Sequence, residues 1–268
     1  MSQKYIHGYT PIESNRLNDQ ANCLNELLHH DTIFPTGAKV LEIGCGVGAQ
    51  TVIICKQNPS IKFVSIDISE NSLQAAKKRC KEANITNVEF LKADLYNMPF
   101  QEESFDFVFV CFVLEHIPDP DKALLEIKKM LKPSGICIVI EGDHGSAYYY
   151  PQSSYAQQTI ECLIQLQAQS GGDSLIGRRL YPLLKAGGFS DISVSPRMVY
   201  ADESRPELVD GFTLKTFTAM VEGVRDKALQ QKMINEDIWI KGINDLRNTA
   251  RTNGIFCYTF FKATARKV

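Results

Sequence analysis

The sequence predicts an α/β protein built on a doubly wound, mostly parallel sheet, and two observations carry that expectation. Apolar runs of strand length alternate with helical patterns up to about residue 140, the order produced when helices cross over between parallel strands. The first run, Val40-Leu41-Glu42-Ile43, ends in Gly44-Cys45-Gly46-Val47-Gly48 and opens directly into a helical pattern. Glycines at such a turn let the chain bend sharply and bring backbone closer to a ligand than a side chain would permit.

The elements follow in order. Residues 1–34 read as helical, with Leu17, Leu24, Leu27 and Leu28 on one stripe, until Pro35-Thr36-Gly37 breaks the chain. After the glycine turn a helix carries Val52, Ile53 and Cys55 and stops at Asn58-Pro59. A second strand is expected over 61–67, and Ser69 is placed to cap a helix bearing Leu73, Ala76 and Cys80. Strands three and four are expected over 88–93 and 105–113. Asp119-Pro120 has the chemistry of a cap followed by a first helical position, and Ala123, Leu124, Ile127 and Leu131 supply the apolar face. Lys132-Pro133-Ser134-Gly135 turns into a fifth strand over 136–140.

Residues 143–174 are polar and rich in Gln and Ser, with a short helical stretch around 160–166. A helix with Leu180, Leu183 and Leu184 ends at Gly187-Gly188, and a strand follows at 192–194. Ser204-x-x-Glu207 has the spacing of a capping box and opens two or three helices that run to about residue 251. Asn253-Gly254 then leads into a last strand over 255–261.

A chain of 268 residues that is 44% hydrophobic has enough material for one large domain with insertions. Its net charge of −2 gives no electrostatic reason to expect nucleic acid as a partner. No apolar stretch reaches the length of a membrane span, and the first residues lack the apolar run of a secretion signal, so a cytoplasmic protein is expected. Cysteines stand at 23, 45, 55, 80, 111, 137, 162 and 257, with no C-x-x-C pair and no zinc spacing. They read as reduced and structural, and no metal is expected.

Open α/β sheets bind ligands beyond the carboxyl ends of their strands, so the residues ending successive strands are read together. They are Glu42 and Gly44, then Asp67, Asp94 and Cys111. An acid just before the glycine turn is expected to face something cationic or hydrogen-donating rather than a phosphate, which points to an amino-acid-bearing nucleoside. Gly44-x-Gly46-x-x-Ala49 also satisfies the permissive dinucleotide fingerprint, so an NAD-dependent oxidoreductase is an alternative. No Ser/Tyr-x-x-x-Lys set near the fifth strand supports it.

Over roughly positions 36–142 these residues resemble the class I S-adenosylmethionine-dependent methyltransferases, in particular the small-molecule type with a ubiquinone/menaquinone-methyltransferase-like core. Phe105-Asp106-Phe107-Val108 through Val113-Leu114-Glu115-His116-Ile117 and the Leu131–Gly135 turn add to the similarity. The resemblance implies a Rossmann-like sheet of seven strands with the last antiparallel, and a helical lid. It implies S-adenosyl-L-methionine as cofactor and methyl transfer to a small-molecule acceptor by direct in-line displacement. Gly44-Cys45-Gly46 would pass under the methionine part, and Glu42 just before the turn is a further cofactor-binding candidate. Asp67 would accept bonds from the ribose hydroxyls, and Ile68 would lie against the adenine. Asp94-Leu95 would read the adenine edge, and the Cys111 carbonyl would meet the methionine ammonium. A non-catalytic S-adenosylmethionine-binding protein is a further alternative.

On this reading the chain divides into a lid helix (1–34), a cofactor-binding core (35–142), a lid segment (143–174), more core (175–198), a helical substrate cap (199–253) and a closing core strand (254–268). Each remaining candidate also has a plainer reading. Asp67 sits where a helix cap would, and Asp94 where a surface turn would. Glu141, Asp143 and His144 are candidate bases for an acceptor that must lose a proton. Tyr148 and Tyr149 are candidate substrate contacts, or loop residues that pack the lid. Asp143 and His144 lack a third ligand for a metal. Tyr9, Arg16 and Gln20 fall near one helical face and would suit the methionine carboxylate, although Arg16 and Glu13 also suit a solvated pair. Phe212, Phe217, Met220 and Trp239 would line an apolar substrate pocket or fill a core. His116, before Pro118, reads as a site residue or an ordinary turn residue.

Overall fold

A computed structural model describes the backbone of residues 11–268 and the side chains of these residues except 11–15 and 18. Helix α1 (Pro11–His29) precedes β1 (Lys39–Ile43), α2 (Ala49–Gln57), β2 (Lys62–Asp67), α3 (Glu70–Glu82), β3 (Val88–Lys92) and β4 (Phe105–Cys111). A short turn of 3₁₀ helix (Leu114–His116) leads to α4 (Pro120–Met130), β5 (Leu131–Tyr150), α5 (Ser154–Gln169), a second 3₁₀ turn (Ile176–Arg179), α6 (Leu180–Ala186) and β6 (Phe189–Ala201). The insertion comprises α7 (Pro206–Leu208), a π-helical stretch (Val209–Thr218), α8 (Ala219–Glu222), α9 (Arg225–Gln230) and α10 (Glu236–Asn248), and β7 (Ile255–Lys267) closes the chain.

The strands form one seven-stranded sheet in the order β3-β2-β1-β4-β5-β7-β6. Strands β1 to β5 pair in parallel, while β7 lies antiparallel between β5 and β6. Four of the five β1 residues are buried, as a strand covered on both faces requires, which is why it reads as a continuous apolar run. Chain direction across the sheet reverses between β1 and β4, and that switch point opens the crevice in which such sheets hold ligands.

Local chemistry sets several boundaries. The Ser69 side chain accepts from Ser72 N at the start of α3, and Asp119 accepts from Lys122 N with Pro120 opening α4. The capping box expected at Ser204 is not formed. Ser204 donates from its N and Oγ to Asp202 Oδ1, and Arg205 holds the cap position of α7. Asp202 supplies a competing acceptor two residues back, and the hydroxyl goes there instead.

Both sheet faces are covered. Leu24 and Leu28 of α1, Leu163 of α5 and Trp239 of α10 pack with Phe109, Ile138, Ile140, Phe256 and Phe260 on one face. On the other, Leu124 and Ile127 of α4 and Leu180 and Leu184 of α6 pack on Leu41, Val108, Val110 and Val139.

The largest departure from expectation is in β5. The segment 143–150, expected to leave the sheet, stays in it: Glu141 to Asp143 pair with Phe261 to Thr259, and after a bulge Tyr148 to Tyr150 pair with Cys257 to Ile255. Strand β6 and helix α5 likewise exceed the short stretches expected at 192–194 and 160–166. The apolar strand β7 offers its edges to both neighbours over 13 residues, and backbone pairing there overrides the polar character of 141–144.

Candidate cofactor and acceptor site

The glycine turn at the end of β1 is shaped by backbone that only glycine adopts freely. Gly44, Gly46 and Gly48 have φ of 68°, 52° and 76°. The Gly44 and Cys45 amides donate to Ile66 O of β2 at 2.8 and 3.0 Å. A Cβ on Gly44 would stand 2.6 Å from Val113 Cγ2, so the turn after β1 meets the segment after β4 across the crevice. A Cβ on Gly48 would stand 2.9 Å from Ala76 Cα and from Ala76 Cβ, where α2 begins against α3. Left-handed strain and overpacking add there, so Gly48→Ala is expected to lower stability by about 2–4 kcal/mol. Urea melts check this through a fall in midpoint at unchanged slope.

Asp67 ties this turn to β2. Its Oδ2 accepts from Gly46 N at 2.8 Å and its Oδ1 from Ser69 N at 2.8 Å. Burial pushes its carboxyl up, against these backbone donors. Beside it Ile68 is 60% exposed, an apolar surface at the strand end. At the end of β3, Asp94 Oδ1 accepts from Tyr96 N and its carbonyl from Asn97 N, while Leu95 is buried. Asp94 therefore has the turn geometry of the plainer reading, placed at the strand ends. Cys111 closes β4 opposite Ile140, and Phe112 then turns the chain with φ 59°.

Glu42 does not face outward. It is 2% exposed, and its Oε2 accepts from Thr51 Oγ1 at 2.7 Å and Ser65 Oγ at 2.6 Å. The hydrogen donors expected from a ligand are the chain's own hydroxyls, and its repulsion of a phosphate loses force as a discriminator. Burial pushes the Glu42 carboxyl up from 4.5 to about 7, with Ser65 and Thr51 opposing. Between those pH values folded Glu42 keeps a proton that the unfolded chain has released, so its contribution makes stability fall as pH rises through that window. Glu42→Gln has no such proton, and its stability relative to wild type is expected to rise by up to about 3 kcal/mol from pH 4.5 to 8. Urea melts of both proteins at pH 4.5 and pH 8 give the difference.

The residues after β4 and along β5 form a buried polar group. Glu141 Oε1 accepts from Val113 N at 3.0 Å and Leu114 N at 2.7 Å, so its first task is to hold the turn after β4. Burial, and after it the charge of Glu115, push the Glu141 carboxyl well above the usual range. Burial also works to raise Glu115, yet His116, His144, Gln167 and Arg16 outweigh it and hold that carboxyl below its usual value. The two carboxyls are thus pushed in opposite directions, Glu115 down and Glu141 up. Gln167 Nε2 of α5 donates to Glu115 Oε2 at 3.2 Å and to its carbonyl at 3.1 Å.

Asp143 is not free to act as a base. Arg178 grips both its oxygens at 2.7 Å, and Gly145 N adds a third donor. His144 is buried, its Nδ1 2.8 Å from Tyr258 Oη and its ring 6.0 Å from Phe217. Burial pulls its imidazole down, with the charge of Glu115 opposing. From α1, buried Arg16 donates to Gln20 Oε1 at 3.0 Å, and its charge reaches Glu115 and His144. Tyr9 lies outside the described residues, as does the Glu13 side chain.

Tyr148 and Tyr149 sit in a strand and not a loop. Tyr148 is exposed and donates to Met198 Sδ, while Tyr149 stacks on Phe256 at 6.2 Å and donates to Ser153 O. Phe212, Phe217, Met220 and Trp239 are all buried. Gln167, Arg178 and Tyr258 belong to no local motif that would mark them in the sequence. Among the described residues no three His, Cys, Asp or Glu side chains gather as metal ligands.

The chain as a whole is similar to known proteins. The methyltransferase domain family matches residues 35–188. A demethylmenaquinone methyltransferase of Lactococcus lactis is 37% identical over 119 residues, 44% of this chain and 47% of that protein. The chain thus matches about half the length of these curated relatives. Among solved structures, the [4+2]-cyclase SpnF is 19% identical with a TM-score of 0.56, covering 93% of this chain and 81% of its own. A Haemonchus contortus phosphoethanolamine N-methyltransferase solved with S-adenosylhomocysteine and phosphomonomethylethanolamine is 21% identical with a TM-score of 0.53, covering 87% and 50%. At those identities the structures show a shared fold.

Proposed function

Because the chain belongs to the methyltransferase domain family, we propose that it transfers the methyl group of S-adenosylmethionine to a small-molecule acceptor. One observation carries the reading: the left-handed glycine turn at the switch point is pinned by Asp67 through Gly46 N. That arrangement supports a nucleoside whose ribose meets Asp67, whose adenine lies between Ile68 and Asp94-Leu95, and whose amino-acid end crosses the turn toward Cys111. Arg16 and Gln20 support the methionine carboxylate from α1. Glu42 stiffens the turn from behind through Thr51 and Ser65.

The transfer is a displacement at carbon. The bond from the methyl to the sulfonium breaks as the bond to the acceptor forms, and holding the three atoms in line supplies much of the rate. The family match stops at residue 188, short of the 199–253 insertion, so the relatives' quinone acceptors are not carried over to this chain. Free cysteines throughout support a reducing, cytoplasmic compartment. Calorimetric titration with S-adenosylmethionine, S-adenosylhomocysteine and NAD tests the reading. Micromolar binding of the first two is expected, and tight binding of NAD alone would overturn it.

A further inference from the structure

Native proteins leave few buried polar atoms unpaired, and each is a question about what meets it in use. Among the described residues Glu141 Oε2, His144 Nε2, Gln167 Oε1 and Thr213 Oγ1 are buried without a hydrogen-bond partner. They belong to one neighbourhood. Gln167 binds Glu115, and Glu141 holds the amide of Leu114 beside it. The charge of Glu115 acts on both Glu141 and His144. The His144 ring meets Phe217, on the same π-helical stretch as Thr213.

The pairing of His144 with Tyr258 is built into the backbone. A Cβ at Gly142 would stand 2.3 Å from Tyr258 Oη, so the glycine makes room for the phenol beneath the imidazole. The 2.8 Å contact can run either way: with Oη donating to Nδ1 the proton sits on Nε2, and with Nδ1 donating to Oη, the direction we adopt, Nε2 is left with a bare lone pair. His144 Nε2 and Gln167 Oε1 then both ask for a donor, and an uncharged donor brings no ion to desolvate. Phe212, Phe217, Phe256 and Phe260 supply apolar surface around Tyr258.

We infer that this compartment receives the acceptor through a hydroxyl group, with His144 as the base and Tyr258 as its positioning residue. This deepens the methyl-transfer reading and rests on it. As the hydroxyl oxygen bonds to the methyl carbon, the carbon–sulfur electron pair leaves with sulfur, giving S-adenosylhomocysteine. The hydroxyl proton passes to Nε2 and later to water. Among the described residues, the charged and titratable groups facing His144 are Glu115 and His116 from the turn after β4, Asp143 in β5, Arg16 in α1 and Tyr258 in β7.

The test is nitrogen NMR of the full chain with ¹⁵N-labelled histidine, His144 being assigned through His144→Gln. In the free protein a neutral ring with Nδ1 protonated and Nε2 bare is expected, and Tyr258→Phe is expected to move its tautomer balance and protonation midpoint. With S-adenosylhomocysteine bound, millimolar phenol is expected to shift the Nε2 resonance and toluene to leave it in place. A ring protonated at Nε2 would overturn the proposal. So would phenol and toluene acting alike or neither reaching the ring, the behaviour of a pocket filled only by structural water. Failure of S-adenosylhomocysteine to bind in calorimetry would sink the methyl-transfer reading separately, since the tautomer is read on the free protein.

Discussion

Replacing Asp67 with alanine is expected to weaken S-adenosylhomocysteine binding by at least about a hundredfold, roughly 3 kcal/mol. Two losses combine. The first is direct, because the strand-end carboxylate is the group proposed to accept from the ribose hydroxyls, and hydrogen bonds to a charged acceptor are worth about 1.5–3 kcal/mol each. The second acts through the turn. Without the carboxylate the amides of Gly46 and Ser69 lose their acceptor, and a glycine turn with φ of 52° at Gly46 has one fewer restraint on its shape. Asp67→Asn separates the two, since its one carbonyl oxygen still serves a backbone amide while its charge is gone. It is expected to bind more weakly than wild type and more tightly than the alanine variant. Calorimetry on the three proteins decides, and an alanine variant binding within threefold of wild type would remove Asp67 from the site.

What was legible in the sequence is what local chemistry decides. The apolar runs of β1, β2 and β4, the glycine turn, and the caps at Ser69 and Asp119 each depend on residues a few positions apart, and the structure holds them near where the pattern put them. The course of the chain past residue 140 was not legible. Glu141-Gly142-Asp143-His144 reads as a polar loop because the partner that makes it a strand, Phe260 and its neighbours in β7, lies far along the chain. The same separation hid Tyr258, one more aromatic in an apolar strand until His144 is seen 2.8 Å from its hydroxyl. Gln167 was masked by the Gln- and Ser-rich composition around it. Glu42 reads as a meaningful acid from its place before the turn, but only the fold brings Thr51 and Ser65 together on its oxygen. Residues that convey a motif are thus readable one stretch at a time, while those that complete a site across strands are not.

Phe217→Ala is expected to destabilise the protein by about 3–5 kcal/mol, the range for removing a fully buried aromatic side chain. Its ring centroid lies 4.8 Å from that of Phe256, 5.5 Å from Tyr258 and 6.0 Å from His144, so the vacancy would open between the insertion and β7. The sequence offers this aromatic group as either pocket wall or core, and the packing places Phe217 in the core beside His144. One ring buries apolar area against the sheet and also fixes the edge of the imidazole proposed to take the acceptor's proton. Phe217→Leu is therefore the informative companion. It is expected to recover more than half of the lost stability by restoring volume, as a drop of no more than about 1.5 kcal/mol from wild type in urea melts. A flexible aliphatic side chain does not reproduce an edge contact with the imidazole, so the His144 nitrogen resonances should still differ from wild type. If Phe217→Ala cost less than about 1 kcal/mol, the ring would not be part of a close-packed core, because deleting it would leave little cavity to destabilise the fold.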